Sequence, residues 1–125
     1  MNHKLIFTII ISVIIFILVL VIYTYTGSQL ISIKNAKKMI QKNKIQYIID
    51  VRTEFEFNRG HYPTALHLPS SNIKKINEKF PFIKKKDPIL VYCNTGQRAR
   101  AAAETLNDLG YMNVFYIATT YHSLL

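Results

Sequence analysis

The sequence predicts an α/β fold: a mainly parallel sheet flanked by helices, preceded by one transmembrane helix. Two observations predict it. Short apolar, β-rich runs (QYIID, ILVY and NVFYI) alternate with helical segments, the pattern of strands joined by helical crossovers. Ahead of them, residues 5–23 form an apolar run, LIFTIIISVIIFILVLVIY, with Thr8 and Ser12 as its only weakly polar members. The whole chain has 125 residues, the size of one domain.

The first element is that apolar run. Nineteen residues at about 1.5 Å each make a helix of roughly 28 Å, close to the hydrocarbon thickness of a bilayer. In lipid the backbone must satisfy its own hydrogen bonds, so helix is the available conformation. Tyr23 and Tyr25 stand where an interfacial aromatic belt falls. A signal peptide has a shorter apolar core and a small-residue cleavage site. YTYTGSQL, which follows here, lacks that site, so a retained anchor is expected. Lys34, Lys37, Lys38 and Lys42 outnumber Lys4 across the span, which places the C-terminal domain on the cytoplasmic side.

After a linker over residues 24–31, SIKNAKKMIQKN reads as a helix with Ser32 as N-cap and Ile33, Ala36 and Ile40 on one face. Residues 46–50 read as a buried strand. A helical turn over 54–58 interrupts the loop that follows, and residues 65–68 read as a brief strand ended by Pro69. Residues 71–80 read as a helix, and Ile89 to Tyr92 as an uninterrupted apolar strand. The alanine-rich helix ARAAAETLNDL stops at Gly110, a natural C′ residue. Residues 113–117 are the last strand. These pieces make one unit over 32–125.

Charge and cysteine usage narrow the function classes. The net charge is +9, which raises the question of nucleic acid. The lysines of IKKINEKF lie on the solvated face of an amphipathic helix, and those near residue 34 sit beside the expected membrane surface, where anionic headgroups favour them. Aromatics are not interleaved with basic residues as a base-stacking platform needs, so no nucleic-acid partner is expected. The single cysteine excludes an intramolecular disulfide, and the four histidines lack metal-ligand spacing with it.

A lone cysteine is often a small buried hydrophobe; the surroundings of Cys93 argue for more. Strand ILVY leads into Cys93-Asn94-Thr95-Gly96-Gln97-Arg98, and the alanine-rich helix follows. Open α/β sheets bind ligands at the carboxyl ends of their strands, and a following helix presents free N–H groups and a positive dipole end. A thiolate there is stabilised by oriented amides and by the Arg98 guanidinium. Gly96 permits the backbone angles of a tight, anion-cradling loop.

Two longer stretches carry a family resemblance. IIDVRTEFEFNRGHYPTALHLP, with Asp50, Val51, Arg52, Glu56, Gly60, His61, Pro63, Ala65 and Pro69 in order, resembles the first signature of the rhodanese homology domain. ILVYCNTGQRARAAAETLNDLGYMNVFYI resembles its active-site half through Cys93, Gly96, Arg98, Ala102, Ala103, Leu106, Gly110, Tyr111 and Val114. The resemblance spans residues 32–117. It implies a cysteine persulfide: Cys93 takes sulfane sulfur from thiosulfate or a similar anionic donor and passes it to a thiol or cyanide. It further implies that the Asn94 to Arg98 loop holds the anionic sulfur, that Arg98 orients the donor, and that Asp50 and Arg52 brace the loop. No cofactor or metal enters. His61 reads as structural, and His67 and His122 as surface or packing residues.

The chain departs from the family pattern at Thr64, commonly Gly, and after the last strand. There Ala118-Thr119-Thr120-Tyr121-His122 replaces a Gly-Gly-aromatic start to a final helix, which bears on stability and on the pocket wall. Two rival functions follow. Phosphatases and arsenate reductases of similar fold use a C-x5-R loop sized for a tetrahedral oxyanion, one residue longer than the loop here. A membrane-tethered interaction module keeps the fold and leaves Cys93 incidental.

Overall fold

The computed structural model describes residues 2–26 and 29–125, and the side chains of residues 23–26 lie outside that description. The expected aromatic belt at Tyr23 and Tyr25, and residues 24–28 of the expected linker, therefore fall wholly or partly outside the described residues.

The chain opens with helix α1 (His3–Thr26). Among the described residues it alone is long and apolar enough to cross a membrane, and none of its apolar window is buried in the chain. A signal sequence near an amino terminus can meet the same criterion of length and apolarity. Strand β1 (Gln29–Leu30) follows, within the segment expected as linker. Two residues carry no periodicity, so this strand exists because β5 (Val114–Tyr116) offers it an edge, with Gln29 opposite Phe115 and Leu30 opposite Tyr116.

Helix α2 (Ile33–Gln41) starts at the expected cap: the Ser32 side chain accepts from the Asn35 amide at 3.2 Å. It ends two residues short of the expected limit. Asn43 takes φ 55°, and the amides of Asn43 and Lys44 bond back to Ile40 and Met39, closing the helix with the paired bonds of a Schellman turn. Strand β2 (Tyr47–Asp50) leads to α3 (Glu54–Asn58) and β3 (Leu66–His67). The expected helix over 71–80 is instead a 3-10 segment, Ser70–Lys75, that passes into a short α4 (Ile76–Lys79). Ile73 and Ile76 are buried there while Lys74, Lys75 and Lys79 are exposed, so the amphipathic pattern held although the winding tightened. Strand β4 (Ile89–Tyr92) and helix α5 (Gln97–Asp108) complete the set. At the end of α5, Gly110 takes φ 97° and the amides of Gly110 and Tyr111 bond to Asn107 and Leu106, a second Schellman turn.

The five strands are all parallel, in the order β1-β5-β4-β2-β3. Side chains alternate between two cores. Ile49, Val51, Ile89, Val91 and Val114 face α5 and the Ser70–Lys79 segment, with Ala99, Ala102, Ala103 and Leu106 supplying the helix side. Ile48, Leu90, Tyr92 and Ile117 face α2 and a closing 3-10 turn, Tyr121–Leu124, against Ala36 and Leu124. Every residue of β4 is fully buried, as a central parallel strand covered on both faces requires. Each such aliphatic side chain contributes roughly 1.5–3 kcal/mol by leaving water. The alanines of α5 let its axis approach β4, and Cys93 leaves β4 at the carboxyl edge of the sheet.

Candidate active site

Residues 93–96 link the buried end of β4 to α5. Gly96 is the helix N-cap and takes φ 96°, a left-handed value that glycine adopts without a Cβ clash. A Cβ there would also stand 2.8 Å from the Ala118 Cα, so residue 96 is glycine for conformation and for space. Because glycine offers no capping side chain, the sulfur caps the helix. Cys93 Sγ accepts from the Gly96 amide at 3.2 Å and from the Ala99 amide at 3.3 Å. Ala99 is the third helical residue, whose amide has no partner inside its own helix. The side chain of Cys93 lies in the core cluster and the residue is 1 % exposed.

Around the sulfur, Glu56 organises the mouth of the loop. Thr53 and Glu56 form a capping box at the start of α3, which fixes the carboxylate. Its Oε1 accepts from the Thr53 amide, the Thr53 hydroxyl and Arg98 Nη1, the last at 2.7 Å. Its Oε2 accepts from Arg98 Nη2 at 3.0 Å and from Asn94 Nδ2 at 2.9 Å. The Arg98 hydrogen bonds hold this carboxyl well below the usual range, at about 2. In return Glu56, ahead of a smaller contribution from Cys93, raises the Arg98 pKa. Arg98 is therefore committed to a carboxylate, a partner that the loop sequence does not disclose.

Asp50 and Arg52 lie deeper. Asp50 is fully buried and accepts from the Arg52 amide, from Arg52 Nε and Nη2, and from the Tyr92 hydroxyl at 2.7 Å. Arg52 Nη2 also donates to the Gly60 carbonyl at 2.7 Å, and the guanidinium lies over the rings of Tyr92 and Tyr121. Burial would lower the Arg52 pKa, but the Asp50 bonds outweigh it and the group is raised. Burial pushes the Tyr92 phenol well up, which keeps it a donor to Asp50. This network meets Cys93 through the neighbouring Tyr92, and its charge is felt at Arg98, whose pKa Asp50 helps to raise after the larger effects of Glu56 and Cys93.

Thr95 and Gln97 are exposed. They border a hollow of about 200 Å³ between the loop, Leu30, Arg100 and Ala118. A second hollow of about 390 Å³ lies on the other side of α5, between Ser70, Ser71, Gln97 and Arg98. His61 and His67 stack on the two faces of Phe57 and donate to the Phe57 and Arg52 carbonyls. His122 stacks on Tyr121. Among the described residues no group of three His, Cys, Asp or Glu side chains is placed to hold a metal. Sequence reasoning did not single out Glu56, Thr53 or the Ala99 amide for the site. The Thr53-x-x-Glu56 spacing was a legible capping signal; the reach of the same carboxylate to Arg98 was not.

The model of the rhodanese-like domain matches residues 32–123. This chain belongs to the rhodanese-like domain family. Among curated relatives of this rhodanese-like chain, a putative sulfur carrier protein of Bacillus subtilis, YrkF, is 28 % identical over 88 residues, covering 70 % of this chain and 45 % of the relative. A putative mitochondrial thiosulfate sulfurtransferase of Schizosaccharomyces pombe is 31 % identical and covers 64 % of this chain and 63 % of its own length. The thiosulfate sulfurtransferase GlpE of Coxiella burnetii is 32 % identical over 85 residues, covering 68 % and 76 %. This chain thus spans less than two thirds of the first two relatives. The human single-domain sulfurtransferase TSTD1 shares the fold, with a TM-score of 0.63 and 21 % identity over 79 % of this chain and 93 % of that one. The rhodanese-like chain therefore stands in a family whose members are named as sulfurtransferases and sulfur carriers.

Proposed function

We propose that this protein is a thiosulfate-type sulfurtransferase in which Cys93 carries the sulfur. The Cys93 thiolate attacks the outer sulfur of thiosulfate or a similar sulfane donor. A new S–S bond forms to Cys93, the donor's S–S bond breaks, and sulfite leaves with the electron pair. An acceptor thiol or cyanide then takes the terminal sulfur and restores the thiolate. The observation that carries this reading is the pair of amides, Gly96 and Ala99, donating to Sγ at 3.2 and 3.3 Å. Fixed donors aimed at a developing charge are an effective way to stabilise it.

In this reading the Asn94, Thr95, Gly96, Gln97 and Arg98 loop cradles the persulfide sulfur. Arg98 works through its electrostatic contact with Cys93 and through the shape of the loop, which Glu56 clamps. Asp50 and Arg52 support the loop by fixing Tyr92. Residues 5–23 anchor the chain in a membrane, residues 24–31 link, and residues 32–125 form the catalytic domain on the cytoplasmic side; the lysine asymmetry supports that orientation.

The test is the intact mass of the full chain after incubation with thiosulfate at neutral pH. A gain of one sulfur atom on Cys93, discharged by cyanide and absent in Cys93→Ser, is the expected result. An unmodified mass, with a folded domain and no effect of Cys93→Ser in any transfer assay, returns the protein to the tethered-module reading. Protease added to intact spheroplasts should leave the domain uncut, and digestion there would reverse the orientation.

A further inference from the structure

The guanidinium that the loop offers to an anionic donor already holds a carboxylate. Arg98 gives both terminal nitrogens to Glu56, at 2.7 and 3.0 Å, and the Asn94 amide nitrogen goes to the same carboxylate at 2.9 Å. Glu56 is itself held by the Thr53 amide and hydroxyl, so its position does not depend on Arg98. The other arginines near the loop are also engaged: Arg52 with Asp50, and Arg100 with Glu104 at 3.1 Å. Among the described residues, then, no arginine at this loop stands free of a carboxylate. Once Cys93 is a thiolate, the sulfur, Glu56 and Arg98 together carry a net negative charge.

Sulfane donors differ in what that charge does to them. Thiosulfate brings a dianion, and its leaving group, sulfite, is also a dianion that must depart past a loop whose Asn94 and Arg98 side chains hold the Glu56 carboxylate. A persulfide with an uncharged R group brings at most one negative charge, and the form that the thiolate attacks is the protonated, neutral R–S–SH. Its leaving group is a single thiolate, which a proton neutralises after departure. The amides of Gly96 and Ala99 donate to the attacking Cys93 Sγ and not to the donor's leaving group, so they serve both donors alike. The charge at the mouth separates them.

We propose that Glu56 sets donor specificity by masking Arg98, so that the site takes sulfur from low-charge persulfides in preference to thiosulfate. The step balances: the Cys93 thiolate attacks the terminal sulfur of R–S–SH, a new S–S bond forms to Cys93 as the donor's S–S bond breaks, the proton stays on the transferred sulfur, and RS⁻ leaves with the electron pair. No external oxidant or reductant is needed. This inference rests on the sulfurtransferase reading and deepens it by naming the donor class.

The experiment measures second-order loading of Cys93 by intact mass, on the full chain in detergent. Its donors are thiosulfate, a small persulfide with an uncharged R group (that of N-acetylcysteamine) and a carrier protein bearing a cysteine persulfide. The wild type should load faster from a persulfide than from thiosulfate, and the two persulfide arms tell a small donor from a protein one. Glu56→Gln keeps the size and the hydrogen-bonding oxygen but frees the Arg98 charge. It should raise the thiosulfate-to-persulfide ratio by about tenfold, chiefly through the KM for thiosulfate, as removal of one like charge near a dianion predicts. Salt should then slow thiosulfate loading, as screening of an exposed cation requires. Glu78→Gln, on α4 and exposed, removes the same charge away from the loop and should leave the ratio within about twofold.

An unchanged ratio in Glu56→Gln, with both donors slowed together, overturns the proposal and makes Glu56 a holder of the loop only. A wild type that loads faster from thiosulfate than from either persulfide overturns it without any variant. Failure of all three donors to load Cys93 instead strikes the sulfurtransferase reading itself.

Discussion

Two arginine–carboxylate pairs flank Cys93, and they do different work. The Asp50–Arg52 side chains are 0 % and 7 % exposed, whereas those of Glu56 and Arg98 are 26 % and 36 % exposed. The deep pair sits two residues apart at the end of β2 and spends its bonds on Tyr92 and Gly60. The outer pair joins residues 42 positions apart and spends its bonds on the loop. Removing one partner of a buried pair leaves a charge without water or counterion, which is costly. Removing one partner of a half-exposed pair leaves a charge that solvent screens, so its cost to folding is small. The deep pair is therefore the one whose loss the fold should feel, and the outer pair the one whose charges can change at small cost to folding.

The sharpest way to break this contrast is at its buried end. Asp50→Ala strands the Arg52 charge and the Tyr92 hydroxyl, and should destabilise the domain by about 3–5 kcal/mol in denaturant titration. A loss under about 1 kcal/mol would show that water reaches Arg52 and that the two pairs are alike. Gly96→Ala comes next, between the pairs. It forces a left-handed alanine against the Ala118 backbone at 2.8 Å, and roughly 2–3 kcal/mol of strain is expected, with slower loading because the amide of residue 96 shifts from the sulfur.

Arg98→Ala should cost about 1 kcal/mol of stability or less. Persulfide formation should nevertheless slow by roughly tenfold, because the variant leaves the Glu56 carboxylate uncompensated near the thiolate. Equal and large losses of stability and activity would place the outer pair in the same class as the inner one.

The smallest effect is on pH dependence. Glu56 is held at about 2 when folded, against 4.5 for an unperturbed glutamate. A depressed carboxyl stabilises the fold fully above its unfolded value and loses that contribution as pH falls through its folded value. The stability difference between wild type and Glu56→Gln should thus be constant above pH about 5, shrink through the interval down to about 2, and then level off. Thermal melts across that interval measure it.

Much of this protein was legible one segment at a time. The sequence placed β4 at Ile89–Tyr92 because apolar continuity is a local signal, and it placed the turn α3 at Glu54–Asn58. Ser32 as a cap and Gly110 as a stop were readable for the same reason. Cys93 stood out because a strand, a glycine-bearing loop and a helix start are consecutive in the chain. The strand β1 was not readable, since two residues become a strand only when an edge is offered. Nor was the tightening of residues 70–75, which depends on packing against α5.

What the sequence by itself determined was most of the helices and strands and the place of Cys93 between β4 and α5, since both are consequences of neighbours along the chain. What tertiary structure alone decided was the partner of each charge. The loop sequence shows Arg98 as a cation at the start of α5 and does not show its partner. Folding brings the first turn of α3 to the loop, and a carboxylate 42 positions away pairs with the guanidinium. Electrostatic pairing depends on distance in space, and through a folded crossover that distance is set by packing, not by separation along the chain.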